Sequence, residues 1–332
     1  MASVSVIMNV RNGASTLREA LDSVVAQTFK DWEIIVWDDC SSDDSARIVA
    51  EYPDPRIHYK LSTEDTPLGR ARDLAMREAT GEWVAFLDQD DIWLPEKLQK
   101  QMALVWNEPR AGLVYGRTVS FDTSGRERDY DHRHEFGPLP EGEIFATLFT
   151  DSCYISMSSA MLRRSAVEEL GGIPDAIQMT PDYYLFVAIA RRYTARAVQS
   201  VVCRYRRHPR SMSHSNRGRM HAEALWVIDQ WAHCLDRRLV VRRRRIHQTL
   251  VALAEMGHLS TTVSGVARLL RHGSLGFLLS RPFARTFRAI RRRVRRPYWL
   301  TPIGQQDTKT HASEIPVLEN NSPMEGGCSQ NL

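Results

Sequence analysis

Apolar positions recur in two alternating periods along the first ninety residues of the chain. Val4 to Val10, rich in β-branched residues, reads as a buried strand. From Ser15 to Thr28, Leu17, Leu21, Val24 and Val25 mark a helical stripe. Glu33 to Trp37 is a second strand, running directly into the polar turn Asp38-Asp39-Cys40-Ser41-Ser42-Asp43. Asp43 or Asp44 can cap the next helix, which runs through Tyr52. Ile57 to Leu61 is a third short strand. Thr66-Pro67 predicts an N-cap with proline at the first helical position, and the helix runs to Thr80 and stops at Gly81. Trp83 to Leu87 is a fourth strand, ending in Asp88-Gln89-Asp90-Asp91.

Strands and helices alternating at this spacing predict an α/β, Rossmann-like, mostly parallel sheet with right-handed crossovers. Ligands of such sheets bind outside the carboxyl ends of the strands, and both acidic clusters fall on that edge. Beyond Lys97 the pattern loosens into a helix near 95–106, strands near 112–121 and 157–163, a helix over Pro181 to Arg192 and a strand over Ala195 to Tyr205. After Arg217 the chain reads as helix until Pro297. The expected organisation is two halves of one domain over 1–100 and 101–215, a basic helical extension over 216–300 and a disordered tail over 301–332, polar and without periodicity.

Composition changes this picture little. The chain has 332 residues, 43% hydrophobic and 25% charged, which excludes a disordered or fibrous protein. No apolar run approaches the ~20 residues of a membrane-spanning helix, and no signal-type leader opens the chain. A cytoplasmic location is expected. Five scattered cysteines without a CxxC pair argue against a zinc ribbon, a redox motif or a disulfide framework.

The distribution of charge says more. Residues 1–236 carry 27 Lys and Arg against 35 Asp and Glu, whereas 237–296 carry 16 Arg and one acid, Glu255. An acidic body joined to a strongly basic segment suggests two jobs. Apolar stretches between the Arg clusters, from Leu250 to Phe287, fit a helix lying in an anionic membrane surface. They fit equally a helical appendage packed on the body. Nucleic acid is an unlikely partner, because the segment matches no known binding module.

Three carboxylates within four residues, Asp88, Asp90 and Asp91, repel one another unless protonated or neutralised by a cation. Read alone, they are either a solvated turn capping the next helix or a site for a hard divalent ion. Asp38 and Asp39 are either turn residues or acceptors for the base or ribose of a nucleotide. Neither GxGxxG nor GxxxxGK[ST] follows any strand, so metal and arginine must neutralise any phosphate. Arg70 and Arg72, at the start of the third helix, could clamp a diphosphate. Asp182 could be only a first-turn carboxylate, and His208 a surface histidine.

Six blocks bring these pieces into one order: SVIMNVRNG (5–13), LDSVVAQTFKDWEIIVWDDCSSDDS (21–45), GRARDLAMREATGEWVAFLDQDD (69–91), GGIPD (171–175), PDYYL (181–185) and YRRHPRSMS (205–213). Over about residues 3–213 the chain resembles the family 2 glycosyltransferases, inverting enzymes of the GT-A fold. The resemblance makes 1–100 the nucleotide-sugar-binding half and 101–215 the acceptor-binding half. It makes Asp39 the nucleotide-binding carboxylate, with Asp38 beside it, and Asp88 and Asp90 a DxD motif in which Asp90 holds Mg²⁺ or Mn²⁺. Asp182 matches the catalytic base, His208 a histidine that assists metal or diphosphate, and Arg72 an arginine near the nucleotide. Asn9 and Arg11 stand in the donor site where the family has Pro and Tyr, which leaves base stacking open. Pro181 replaces a Glu, and Asp73 an Asn.

The implied reaction moves a sugar from a nucleotide-diphosphate donor to a hydroxyl of a glycan or lipid-linked acceptor, in cell-surface polysaccharide or glycolipid synthesis. A nucleotidyl or sugar-phosphate transferase would normally show a glycine-rich basic loop near the N-terminus. A catalytically idle carbohydrate- or membrane-binding scaffold would have no need of Asp39, Asp90 and Asp182 together.

Overall fold

The computed structural model describes residues 2–256, apart from 123, 130–136, 152 and 209–215. The expected tail at 301–332, the Arg291 to Arg296 run and the apolar stretches beyond Met256 lie outside the described residues.

A mixed sheet forms the centre, in the order β3-β2-β1-β4-β8-β6-β9-β5, with β7 paired to β6. Its strands are β1 Val4–Val10, β2 Trp32–Asp38, β3 Ile57–Leu61, β4 Trp83–Phe86, β5 Ile92–Trp93, β6 Ala111–Asp122, β7 Glu127–Asp129, β8 Met161–Arg163 and β9 Thr194–Arg207. The helices are α1 Leu17–Val25, α2 Ser45–Ala50, α3 Leu68–Arg77, α4 Lys97–Val105, α5 Phe145–Asp151, α6 Arg164–Glu168, α7 Pro181–Ala190, α8 Arg217–Trp231 and α9 Arg237–Met256.

β1 to β4 are parallel, as the alternation predicts. Alternate residues of these strands enter separate apolar layers. Val6, Met8, Ile34, Val36 and Ala85 face one, and Ile7, Ile35, Val84 and Phe86 the other. Burial on both faces explains why β1, β2 and β4 read as largely apolar runs, whereas β3, at the sheet edge, is half-buried to exposed. Past β4 the parallel order ends: β8 runs antiparallel to both β4 and β6, while β6 and β9 pair in parallel. Only 161–163 of the strand expected near 157–163 is extended, since Met157–Ser159 form a 3₁₀ turn.

Both predicted ends of α3 move inward. Thr66 does not cap it: the helix starts one residue later than expected, with Pro67 at the cap position, and the Thr66 amide and hydroxyl donate to Asp39. At the other end Glu33 accepts from the Thr80 amide and hydroxyl, and Ser5 Oγ accepts from the Thr80 and Gly81 amides. Those tertiary acceptors replace the last helical turn.

α8 and α9 are helical, as the pattern predicts. Ala224, Val227 and Ile228 of α8 and Val240 of α9 join the core layer that holds α7. Tyr184 of α7 lies against Trp226 and Trp231 of α8, with ring centroids 6.2 and 5.9 Å apart. α9 is two-faced. Val240, Arg243, His247 and Val251 are buried, whereas Arg237, Arg238, Val241, Arg242, Arg245 and Ile246 occupy the exposed half. Among the described residues no helix is long and apolar enough to cross a membrane.

Candidate active site

Three parallel strands, β2, β1 and β4, end side by side, and the polar residues that follow them make the floor of the site. After β2 the chain needs a sharp turn, and Cys40 takes a left-handed φ of 57°. Asp38 builds that turn: its Oδ1 accepts from the Ser41 amide at 2.7 Å and its Oδ2 from the Tyr59 hydroxyl at 2.7 Å. The Asp38 carboxylate is therefore buried and fully engaged within the protein.

Asp39 points the other way. It accepts from the Thr66 amide and hydroxyl at 3.1 and 3.0 Å, and Arg11 Nη1 lies 3.5 Å from its second oxygen. Burial raises the Asp39 pKa, opposed by the Thr66 hydrogen bonds. Arg11 spans the front of this carboxylate and pairs with Asp65, so a guanidinium stands where the family has an aromatic ring. At the end of β1, both side-chain polar atoms of Asn9 are shielded from solvent and have no partner among the described residues. Leaving such groups unmet costs about 1–3 kcal/mol each.

The loop after β4 is held from three directions. Gln89 brackets the backbone of Arg11, accepting from its amide at 2.8 Å and donating to its carbonyl at 3.1 Å. Asp91 turns inward. Its oxygens accept from Ser158 Oγ at 2.6 Å and from the Arg206 amide at 2.9 Å. Burial, with Asp90 and Asp88 nearby, raises its pKa well above the ordinary carboxylate value. Ser158 Oγ also accepts from the Asp88 amide, so the 3₁₀ turn and β9 fix the loop together.

With Asp91 serving as a staple, Asp88 and Asp90 face outward. Asp88 Oδ1 lies 2.6 Å from Nη2 of Arg72, a guanidinium only 4% exposed whose Nε has no partner among the described residues. Asp90 Oδ2 meets His208 Nε2 at 2.8 Å. Among the described residues no three His, Cys, Asp or Glu side chains form a complete metal cage. A carboxylate and an imidazole in contact do supply two donors. Hard divalent ions complete such a shell with water and substrate phosphates. The mixed O and N set suits Mn²⁺ better than Mg²⁺.

Asp182 enters from α7, in its first turn, partly buried. Burial raises its pKa; the Tyr183 amide and the Arg72 charge oppose that rise, and Asp88 adds to it. Arg72 and Asp88 therefore lie within electrostatic reach of Asp182, which joins the α7 N-terminus to the floor. The loop before α7 is strapped to α3. The Ile173 amide donates to Asp73 Oδ1 at 3.0 Å and the Gly69 amide to the Gln178 carbonyl at 3.1 Å. A Cβ on Gly69 would stand 2.0 Å from the Ile177 carbonyl oxygen, so the approach needs glycine.

Four contributors escape a reading of the sequence: Gln89, Ser158, Arg206 and Glu223, whose carboxylate accepts from the Met179 and Thr180 amides just before α7. Gln89 and Arg206 lie inside two of the recognisable blocks, so a signal was available. Ser158 has none. Glu223 shares the inner face of α8 with Ala224, Val227 and Ile228, an odd place for an acid, and that is its signal.

Comparison with known proteins gives the family and the fold. A family model described as Glycosyl transferase family 2 matches residues 5–171. The Escherichia coli UDP-Glc:alpha-D-GlcNAc-diphosphoundecaprenol beta-1,3-glucosyltransferase WfaP is 30% identical over 214 residues, 64% of this chain and 80% of that protein. The E. coli enzyme of the same description, WfgD, is 41% identical over 115 residues, 34% of this chain and only 44% of that protein. The mannosyltransferase PcManGT of Pyrobaculum calidifontis, in complex with GDP-Man and Mn²⁺, superposes with a TM-score of 0.56 at 20% identity, covering 88% of this chain and 85% of that one. At that identity the likeness is one of fold, the GT-A arrangement.

Proposed function

The chain belongs to glycosyl transferase family 2, and from that premise we propose that it transfers a sugar, with inversion, from a nucleotide-diphosphate sugar to a hydroxyl acceptor. The observation that carries this reading is the Arg72–Asp88 pair at 2.6 Å together with the Asp90–His208 contact at 2.8 Å, with Asp182 within electrostatic reach of Arg72 and Asp88. A proton acceptor and a set of diphosphate-binding groups then share one edge of the sheet.

In this reaction the acceptor oxygen forms a bond to the anomeric carbon as the bond from that carbon to the diphosphate oxygen breaks. Asp182 takes the acceptor proton, and its raised pKa makes it a stronger base than a solvated aspartate. Attack from the face opposite the leaving group inverts the anomeric centre. Asp39 accepts hydrogen bonds from the base or ribose, with Asn9 and Arg11 completing the donor site and Asp38 holding the turn beneath. Burial raises the Asp88 pKa and Arg72 opposes that rise, while also facing the diphosphate. Asp90 and His208 would hold Mn²⁺ or Mg²⁺, which when bound neutralises charge developing on the leaving diphosphate.

The two E. coli relatives are named for UDP-glucose and a diphosphoundecaprenol-linked acceptor. UDP-glucose is accordingly the first donor to test, and a lipid-linked glycan the acceptor class, in polysaccharide or glycolipid synthesis. A cytoplasmic enzyme acting on such an acceptor works at the inner face of the membrane. The exposed half of α9 supports that location, with four arginines beside Val241 and Ile246, which are 38% and 39% exposed. Each arginine near an anionic leaflet contributes about 1 kcal/mol. The test is a transfer and hydrolysis screen of the purified chain with a panel of nucleotide sugars and Mn²⁺ or Mg²⁺. Turnover of one nucleotide sugar supports the proposal, and turnover of none contradicts it.

A further inference from the structure

Glu223 lies on α8, 44 residues beyond Met179, yet it is 5% exposed and its carboxylate faces the start of α7. One oxygen accepts from the Met179 amide at 2.9 Å, the Thr180 amide at 2.9 Å and the Thr180 hydroxyl at 3.0 Å. The other lies 3.2 Å from the Met179 amide and 3.3 Å from Arg219 Nε. Thr180 is the N-cap of α7, and Asp182 follows two residues later. The Thr180 side chain makes no cap hydrogen bond to its own helix, and its hydroxyl donates to Glu223. A carboxylate from a distant helix has thus taken over the amides that lead into α7. Burying a carboxylate is expensive unless it is paired and hydrogen-bonded, and here every donor that meets it belongs to this junction or to Arg219.

The loop is gripped from both sides. Asp73 and Gly69 of α3 hold residues 173 and 178, and Glu223 holds 179 and 180. α3 also carries Arg72, the partner of Asp88. The base and the diphosphate-binding groups are referred to one another through this double strap. Misplacing a reacting group by about 1 Å can cost on the order of 10²-fold in rate.

We infer that Glu223 is a positioning residue for Asp182, and that α8 is part of the catalytic apparatus rather than an appendage to it. The inference rests on the reading of Asp182 as the general base. Its role is to fix where Asp182 stands, without touching donor or acceptor.

The experiment compares full-length Glu223→Gln, Thr180→Val, Asp182→Asn and the double variant Asp182→Asn/Glu223→Gln. Hydrogen exchange reads the strap directly: protection of the Met179 and Thr180 amides should fall at least ~10-fold in Glu223→Gln, and unchanged protection overturns the inference. With the donor and acceptor that turn over in the screen, kcat should fall by ~10- to 10²-fold in Glu223→Gln while the donor KM stays within about twofold. In the Asp182→Asn background, Glu223→Gln should cost nothing further, since its effect runs through Asp182. An equal further loss there, or a loss confined to KM, assigns Glu223 a merely structural role. Thr180→Val, which keeps the amides, should show a smaller fall of the same kind. Should Asp182→Asn itself keep full activity, the base assignment fails, an outcome distinct from failure of the strap.

Discussion

Asp90 Oδ2 and His208 Nε2 stand 2.8 Å apart, although 118 residues of chain separate them. The contact closes the outer edge of the site by joining the turn after β4 to the end of β9. Arg206 makes the join rigid, donating through its amide to Asp91 and through Nε to the Asp90 carbonyl at 2.8 Å. An oxygen and a nitrogen donor so close together are a ready pair for a divalent ion.

The first prediction concerns that pair. Asp90→Asn should remove the metal-dependent part of donor binding and leave the melting temperature close to that of the wild type. Calorimetry with UDP-glucose and Mn²⁺ measures it, and equal affinity with EDTA or in the variant would refute the assignment.

Backbone geometry at the strap gives the second. Gly172 has φ of 104°, and a Cβ there would stand 2.4 Å from Asp73 Oδ1. That oxygen cannot swing away freely, because it also accepts from the Ile173 amide, while Arg77 holds its partner oxygen. Gly172→Ala should destabilise the chain by about 1–3 kcal/mol, read from a denaturant midpoint at constant m-value. A loss under 0.5 kcal/mol, on the order of an ordinary surface substitution, would mean that the loop is not strapped as described.

His247 gives the third. Burial, with Arg243 and His221 beside it, holds its pKa down at about 3, and Arg243 Nη2 lies 3.1 Å from its Nε2. The unfolded chain takes up this proton near pH 6.5 and the folded chain does not. The stability that neutral His247 contributes is therefore present above about pH 6.5 and is lost as pH falls toward 3. Between pH 7.5 and 5, wild type should lose about 2 kcal/mol more than His247→Gln. Chemical denaturation at the two pH values checks this, and parallel losses would refute it.

These residues also show how much of the molecule could be read from its sequence. β1, β2 and β4 were legible because each is a largely apolar run punctuated by turn residues, and β3 because its Ile57, Tyr59 and Leu61 alternate with polar residues. The outward acids at strand ends were legible for the same reason, since a parallel sheet puts its ligands there. Asp91 was not separable from Asp90, because what buries it is Ser158 and Arg206, both remote in sequence. The true start of α3 was hidden likewise: Thr66 reads as a cap, but its amide and hydroxyl donate to Asp39, and the helix starts one residue later. β5, of two residues, is too short to carry a period. The contact of Glu223 with the loop before α7 was missed because 44 residues of sequence separate Glu223 from Met179.

The exposed half of α9 yields the fourth prediction. Replacing Arg237, Arg238, Arg242 and Arg245 with Glu leaves Val240, His247 and Val251 buried, so the fold should be kept. The wild type should float with liposomes containing anionic lipid at low salt and release as salt rises, and the variant should stay at the bottom. Failure of the wild type to float would leave α9 as packing alone.

Inverting transfer with Asp182 as the base is tested most directly by following a single reaction by NMR. The anomeric proton of the product, formed from an α-linked nucleotide sugar, is compared for wild type and Asp182→Asn. The account predicts a β-linked product from the wild type, and a fall in transfer of roughly 10²–10⁴-fold in Asp182→Asn with donor affinity unchanged. An α-linked product, or transfer by Asp182→Asn within a few-fold of wild type, would contradict it.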